Sequence, residues 1–310
     1  MPNTLAHVGV QSLISRGVLK GADLKWVYLG LLIPDLPWIW FRLFKSLPLG
    51  SYAYEGYFYD GMAYVHVQAS LLFSLLLAGV FAAFSTWPRR AFLLLALNAG
   101  LHLLLDAMQT KWANGVHLFA PLSWDLTNFG LFWPEGPVTV ALTLLGLIYI
   151  LAAWRSSGDP AIDLCWPKGA RLWVVAVLLA VYALAPLALL AGPKAANNHS
   201  IAALMDVANR AGRAVAFDRP TIRHQGDRVI LYAPDGEPLE MVGPDLPATG
   251  RASIRGHFLD PHKIEVEAYH QHWGNARDYP TLLGLVLIAA LWLKALRQRR
   301  GQSRSNISVK

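Results

Sequence analysis

Long runs of apolar residues dominate the hydrophobic pattern of this chain. Five stretches are long and apolar enough to cross a hydrocarbon core, which takes about 20 helical residues. They cover roughly residues 68 to 87, 90 to 108, 137 to 154, 172 to 192 and 280 to 297. The pattern therefore predicts a mainly α-helical fold, a polytopic bundle of transmembrane helices.

A sixth apolar stretch, at about residues 23 to 44, has a different character. It contains Pro34, Asp35, Pro37 and Arg42. The prolines would break a helix, and the charged side chains would lie at depth in the membrane. We expect this stretch to be re-entrant or interfacial rather than to cross the bilayer.

The pattern changes sharply at Gly192-Pro193, after which the chain is polar and rich in turn residues. Runs of alternating polarity are typical of strands, and they occur at residues 228 to 232 and 264 to 268. Asp235-Gly236 is a hairpin signal beside the first run. We expect a short helix near residues 200 to 212, followed by a small β-domain such as a five-stranded barrel of OB type.

These changes divide the chain into three parts. Residues 1 to 192 form a membrane-embedded helical domain, residues 193 to 279 form the β-containing domain, and residues 280 to 310 form a last span with a basic tail. The composition agrees with this division, since 55% of the 310 residues are hydrophobic and only 15% are charged. Such a chain is too apolar for an ordinary soluble globule.

The net charge of +7 is distributed unevenly between the two ends of the predicted spans. If the five spans alternate in direction, the basic residues that join or follow them all lie on one side, which the positive-inside rule makes the cytoplasm. These residues are Arg89, Arg90, Arg155, Lys168, Arg171, Arg297, Arg299 and Arg300.

The opposite side, outside a bacterial cytoplasmic (inner) membrane, then receives residues 45 to 67, 109 to 136 and 193 to 279. The basic tail is explained by topology or by contact with anionic lipid, so no nucleic-acid partner is expected. An OB-type barrel often binds oligonucleotides, but an extracytoplasmic location argues against that role here.

His102 and Asp106 are the strongest candidates for chemistry. They lie four residues apart near the end of an apolar span, so both side chains point to the same face of the helix. An imidazole and a carboxylate in this arrangement can bind one divalent cation. The alternative is a buried His–Asp hydrogen bond that only holds helices together.

Four further residues could complete such a site. Asp35 lies between two prolines in an apolar segment, His66 precedes the first predicted span, and His117 follows the His102 helix. The predicted topology brings His66, Asp106 and His117 to one membrane face. His7 could join them only if the N-terminus is also extracytoplasmic, which requires that residues 23 to 44 do not cross.

The order of these residues resembles that of the bacterial YdjM-like membrane-bound metal-dependent hydrolases. The shared features are an early His7, an apolar Pro-Asp segment at Asp35, a His ahead of a Ser-containing apolar helix (His66 to Ser70), and His102 with Asp106 four residues later. That family is similar in its ligand order to the zinc-dependent phospholipase C and single-strand nuclease superfamily.

The resemblance covers about residues 1 to 135 and implies a helical site that holds one or more zinc ions. It implies a bridging role for Asp106 and a catalytic role for Asp106 and His102. The remaining candidate ligands that it implies are His7, Asp35, His66 and His117. The single Cys165 agrees, because any metal must then be held by His and carboxylate groups.

The expected function follows from zinc chemistry. Zinc with an open coordination position lowers the pKa of bound water and polarises a phosphoryl oxygen. A site at the membrane surface meets lipid head groups and lipid-linked phosphates, so we expect a membrane-bound metal-dependent hydrolase of phosphoesters. The alternative is a non-catalytic scaffold, or a lipid- or partner-binding protein, with a structural His/Asp cluster. A proton-relay transporter is disfavoured, because its relay residues should lie near the middle of the bilayer.

The β-containing domain has a His-x-His pair of its own. His270 and His272 lie on one face of a strand-like run. No partner for them is evident, so a structural or surface role is expected. Asp60, Asp125 and Glu135 are carboxylates near the predicted site, and we expect each to be a solvated loop charge.

Overall fold

The computed structural model describes residues 3–19, 22–47, 57–156, 164–197, 199–274 and 276–308, with backbone alone for residues 155–156 and 298–308. These residues form a helical bundle joined to a small closed β-barrel. Residues 48 to 56, assigned above to the extracytoplasmic side, lie outside the described residues. So do the side chains of Arg155, Arg299 and Arg300.

The described helices fall before and after the barrel. They are α1 (Thr4–Val18), α2 (Leu24–Leu32), α3 (Leu36–Ser46), α4 (Phe58–Gln68), α5 (Leu71–Ala82), α6 (Pro88–Ala107), α7 (Pro137–Ser156), α8 (Ala170–Ala188), α9 (Ala191–Ala196), α10 (Ile201–Met205) and α11 (Asp278–Ser308). A 3₁₀ turn, Ile33–Asp35, joins α2 to α3, and a second, Val207–Asn209, follows α10.

Five helical stretches are long and apolar enough to cross a membrane. They are Leu24–Ser46, Pro88–Ala107, Pro137–Trp154, Ala170–Ala188 and Asp278–Arg297. The last four coincide with spans that the hydrophobic pattern predicts. Their length and composition support membrane association.

The predicted span at residues 68 to 87 is wrong as a single helix. The chain bends by 67° between α4 and α5. Ser70 has the extended backbone of an N-cap residue (φ −72°, ψ 165°), so the helix that follows starts anew and is only 12 residues long. The two helices reach the length of a span only when they are taken together.

Residues 23 to 44 also differ from expectation, because the prolines do not interrupt the helical path. Pro34 stands in the first turn of the 3₁₀ segment and Pro37 in the first turn of α3. A proline is tolerated there, since its missing N–H would have no partner inside the helix. Leu24–Ser46 is therefore a helical stretch of span length, and Asp35 lies at its 3₁₀ turn.

Helix α1 packs inside the bundle although it is not apolar. Its buried side chains include Gln11, Ser12 and Ser15, and Ser15 Oγ donates to Asn98 Oδ1 on α6 at 3.1 Å. Close approach to α7 depends on small residues. A Cβ at Gly146 would lie 1.6 Å from the backbone oxygen of Leu5. The backbones of α1 and α7 are thus in contact at this crossing.

The barrel consists of five strands in a closed ring, with a sixth strand added at its side. The strands are β1 (Ala214–Phe217), β2 (Thr221–Gln225), β3 (Arg228–Tyr232), β4 (Pro238–Val242), β5 (Gly250–Asp260) and β6 (Lys263–Gln271). The ring order is β2-β3-β4-β6-β5 and back to β2, while β1 pairs with β5. The β4–β6 pair is parallel and the other pairs are antiparallel.

The predicted β-domain is therefore confirmed as a small five-stranded barrel. β3 matches the predicted run 228 to 232, and β6 contains the run 264 to 268. Gly236 has φ +100°, which a glycine adopts without strain, in the turn between β3 and β4. The expected short helix near residues 200 to 212 corresponds to α10 and the 3₁₀ turn that follows it.

Three separate segments of the helical domain contact the barrel. Lys45 Nζ donates to the backbone oxygen of Pro234 at 3.1 Å, and Tyr59 Oη donates to Asp235 at 2.8 Å. Asn114 Nδ2 donates to Asp218 at 3.1 Å. The end of α3, the start of α4 and the loop after α6 therefore all contact the barrel.

The α1–α7 crossing generates a stability prediction. Gly146→Ala places a methyl group against the Leu5 backbone, which cannot move without shifting α1, so we expect a loss of about 1–3 kcal/mol in the free energy of unfolding. Gly17→Ala is the matched control, because a Cβ there meets nothing within 4 Å. It should be neutral or stabilising by up to about 1 kcal/mol. Unfolding in detergent measures both, and equal stability of the two variants would contradict the close crossing.

Candidate metal centre

Two helices that run in opposite directions bring His7 and His102 together. The Asn3 side chain caps α1 by accepting from the Ala6 N–H at 3.1 Å. His7 lies one turn into α1, beside the C-terminal end of α6, while Ser15 lies beside Asn98 further back along α6. The imidazole rings of His7 and His102 stack with centroids 3.9 Å apart and planes 9° apart.

Carboxylates from two elements complete the group. His7 Nε2 lies 3.4 Å from Asp106 Oδ1, and His102 Nε2 lies 3.8 Å from Asp106 Oδ2. On the other side, His102 Nε2 lies 3.6 Å from Asp35 Oδ1, at the 3₁₀ turn. One ligand atom each from His7, His102 and Asp106 lies within 4.8 Å of the others. The structure thus brings together four of the six residues predicted from the sequence.

The distances fit a shared metal ion better than a set of hydrogen bonds. Ligand atoms that lie about 2.0–2.2 Å from one zinc ion are roughly 3–4 Å from each other. The separations between these ligand atoms, 3.4 to 3.8 Å, fall in that range. They exceed the usual hydrogen-bond distance of about 2.7–3.2 Å.

The convergent atoms are buried and lack hydrogen-bond partners. The side chains of His7, His102 and Asp106 are at most 2% exposed. Among the described residues, no hydrogen bond reaches His7 Nε2, Asp106 Oδ1, Asp35 Oδ1 or either ring nitrogen of His102. Buried polar atoms without partners are costly, and a divalent cation at their centre would satisfy several of them at once.

Gln11 sets the orientation of His7. Its amide nitrogen donates to Asn98 Oδ1 at 3.1 Å. Its amide oxygen accepts from the backbone N–H of His102 at 3.2 Å. The same oxygen then faces His7 Nδ1, 3.3 Å away. The Nδ1–H donates to it, which leaves the Nε2 lone pair directed at Asp106. A metal-ligating histidine commonly makes such an outer hydrogen bond.

Lys111 adds a buried cation that the sequence did not single out. Its Nζ lies 3.7 Å from Asp106 Oδ2, and its side chain is 4% exposed. Its ammonium partly balances the charges of Asp35 and Asp106. Two carboxylates and one ammonium leave one negative charge, so the centre still favours a cation. Lys111 lies four residues after the end of α6, and this sequence position alone does not indicate that it is buried.

His66 and His117 form a separate pair. Their ring centroids are 5.4 Å apart. His66 Nδ1 donates to the Met62 backbone oxygen and His117 Nδ1 to the Trp124 backbone oxygen, both at 2.8 Å. Burial and the neighbouring His66 ring lower the pKa of His117 to about 4. His117 is therefore a neutral imidazole with an unprotonated Nε2 at neutral pH. Among the described contacts, neither the His66 ring nor the His117 ring touches His7, so the pair is separate from the His7–Asp106 centre.

The three carboxylates expected to be solvated loop charges differ in their exposure and in their partners. Asp125 is exposed and accepts from Ser123, and Asp60 forms an ion pair with Lys194. Glu135 is 6% exposed, so the expectation of a solvated loop charge is wrong for this residue. It is also the missing partner of the His-x-His pair, since Glu135, His270 and His272 form a second group with metal-ligand geometry.

No known protein gives independent support for the centre. Comparisons with protein-family models, with curated proteins and with solved structures find no match to the chain. On geometry alone, His7, His102 and Asp106 are able to hold a metal ion.

Metal analysis of the purified protein tests the centre. Asp106→Asn keeps the shape of the side chain but removes the negative charge that lies beside both imidazoles. Loss of a residue that only supports a ligand lowers metal affinity by up to about 100-fold, so loss of a ligand itself should lower it by at least that much. Asp125→Asn removes an exposed carboxylate from the loop that follows α6 and should leave the metal content unchanged. Equal metal content in the two variants would exclude Asp106 as a ligand.

Proposed function

We propose that this protein is a membrane-bound metal-dependent hydrolase, that its metal is zinc, and that its substrates are phosphoesters. The observation that carries the proposal is the convergence of His7, His102 and Asp106 with unpartnered, buried ligand atoms. The order of these residues along the chain also resembles that of the YdjM-like hydrolases. Neither buried hydrogen bonding nor packing accounts for so many polar atoms left without partners.

Each residue of the centre would have a role that follows from its position. When bound, zinc lowers the pKa of water and polarises a phosphoryl oxygen. His7, His102 and Asp106 would hold the ion, and the hydrogen bond from His7 Nδ1–H to Gln11 fixes the orientation of the His7 ring. The Asp35 side chain is 16% exposed whereas that of Asp106 is 2% exposed. Asp35 is thus the more exposed carboxylate of the centre, and it would be the group that accepts a proton from water during hydrolysis.

Lys111 supplies the positive charge that an anionic substrate needs. Its ammonium lies at the end of α6 beside Asp106. A phosphoester carries negative charge on its non-bridging oxygens, and this charge persists while the ester bond breaks. An ammonium held in a dry site stabilises it without reorganisation.

The membrane setting favours lipid head groups or lipid-linked phosphates as substrates. The centre lies near the end of the bundle that contacts the barrel, and Arg171 at the start of α8 contacts the Ser85 backbone oxygen at the opposite end. Arg89, Arg90 and Lys168 lie close in sequence to Ser85 and Arg171. By the positive-inside rule these short basic connections support a centre and barrel on the extracytoplasmic side of the inner membrane.

The barrel would form part of the substrate side of the molecule. Its ring order and its parallel β4–β6 pair support an OB-type assignment. A cleft of about 390 Å³ lies between the barrel and the bundle loops. Its lining mixes apolar and polar side chains and contains no ligand of the centre, so it would hold a part of the substrate away from the metal. The polar side chains are Asn114, Asn128, Asn197, His199, Ser200, Arg255 and Glu267.

Hydrolysis by the purified protein tests the proposal. Asp106→Ala should lose the metal of this centre and its activity towards a phosphomonoester or phosphodiester lipid analogue, because a charged ligand leaves a low-dielectric site. Asp125→Asn should retain both. If the wild-type protein binds zinc at this centre but hydrolyses neither class of lipid analogue, the alternative of a structural His/Asp cluster in a scaffold or binding protein takes its place.

Lys111→Met separates substrate binding from metal binding. Removal of a cation beside Asp106 should leave zinc affinity unchanged or raise it, whereas kcat/KM for an anionic ester should fall by about 10- to 100-fold, the worth of a hydrogen bond to a charged group. Zinc titration and steady-state kinetics measure the two effects. A parallel loss of zinc would show that Lys111 supports the fold of the centre rather than the substrate.

A further inference from the structure

A second group of ligand-type side chains lies where the barrel meets the bundle. Glu135 stands just before α7, and His270 and His272 stand at the end of β6. One ligand atom from each lies within 4.8 Å of the others. His272 Nδ1 is 2.9 Å from Glu135 Oε1. The three residues come from different domains and share no member with the His7–Asp106 centre.

The polar neighbours of His272 indicate which of its ring nitrogens carries the proton. Ser253 Oγ lies 2.9 Å from His272 Nε2 and 3.5 Å from Asp218 Oδ1. A carboxylate only accepts, so the Ser253 hydroxyl donates to Asp218 and accepts from His272 Nε2–H. The Nδ1 lone pair of His272 then faces Arg219 Nη1, which lies 3.5 Å away and can donate to it, as well as Glu135 Oε1. A chain of this kind, from imidazole N–H to hydroxyl to carboxylate, is the outer support that ligating histidines use.

The other two ligands are also held in place. The indole of Trp133 stacks on the His270 ring with centroids 3.7 Å apart and planes 6° apart, which leaves the ring nitrogens at the edge of the stack. Arg219 forms an ion pair with Glu135 through Oε1. The second oxygen, Glu135 Oε2, is buried and has no hydrogen-bond partner among the described residues. One carboxylate oxygen is thus anchored and the other is available.

The nearby guanidinium affects the protonation of both imidazoles. Burial and the charge of Arg219 lower the pKa of His272 to about 4. Burial, His272 and Arg219 also lower the pKa of His270. Arg219 itself has φ +59°, an uncommon backbone conformation for a residue that is not glycine.

We propose that Glu135, His270 and His272 form a second metal site, which takes a divalent transition ion such as zinc and links the barrel to the bundle. Two imidazoles and one carboxylate are a ligand set that zinc accepts, with one position left for water. Arg219 stays on Glu135 Oε1 while Oε2 binds the ion. A nucleophilic role for the Ser253–His272–Glu135 chain is excluded by the burial of Ser253, which is fully shielded from solvent.

Zinc binding by the full-length protein in detergent tests this site separately from the first one. In an Asp106→Asn background, one equivalent of zinc should remain bound. Glu135→Gln or His270→Ala should remove it, and zinc should then no longer raise the thermal unfolding midpoint. His262→Ala is the matched control, since His262 is a barrel histidine with 70% side-chain exposure. It should retain the equivalent and the shift.

The outcomes separate this proposal from the proposed function. If only the second site exists, the wild-type protein binds one equivalent, which His270→Ala removes and Asp106→Asn does not. If Asp106→Asn protein binds no zinc, or if Glu135→Gln and His270→Ala bind as much as His262→Ala, the second site is overturned. Circular dichroism of the variants checks that loss of zinc does not follow from loss of fold.

Discussion

The structure depends on the burial of Asp106. A carboxylate that is 2% exposed at the end of an apolar helix requires compensation, because removing a charge from water costs several kcal/mol even after relaxation. Two imidazoles and the Lys111 ammonium surround it, yet Oδ1 has no hydrogen bond. A bound cation would supply the positive charge and the partner that Asp106 Oδ1 lacks. The packing of three helical segments around this point follows from the same requirement.

That requirement explains the unusual character of α1. A helix with Gln11, Ser12 and Ser15 in its interior face would not form a stable span alone, but each side chain meets a partner from another helix or from the centre. The contact with α7 at Gly146 lets α1 lie close enough to do so. Packing, the outer hydrogen bonds and the position of His7 are thus parts of one arrangement.

Features that depend on neighbouring residues could be predicted from the sequence, whereas features that depend on contacts between distant segments could not. The four-residue spacing of His102 and Asp106, the β3 run and the Asp235-Gly236 turn are local signals, and each has its counterpart in the structure. The span at 68 to 87 was wrong because Ser70 starts a new helix inside an apolar run. The prolines at 34 and 37 do not break the stretch at 23 to 44, because both occupy first-turn positions, so the structure makes this stretch a candidate span. The partner of His272 could not be predicted, since Glu135 is far away in sequence and belongs to another domain.

X-ray absorption at the zinc edge of the purified protein tests the central claim most directly. The account predicts zinc bound by nitrogen and oxygen atoms at about 2.0–2.2 Å, with imidazole among the ligands. The imidazole contribution from the first centre should disappear in a His7→Ala, His102→Ala double variant that retains His270 and His272. An unchanged spectrum in that variant, or a wild-type protein that hydrolyses phosphoesters while free of metal, would contradict the account.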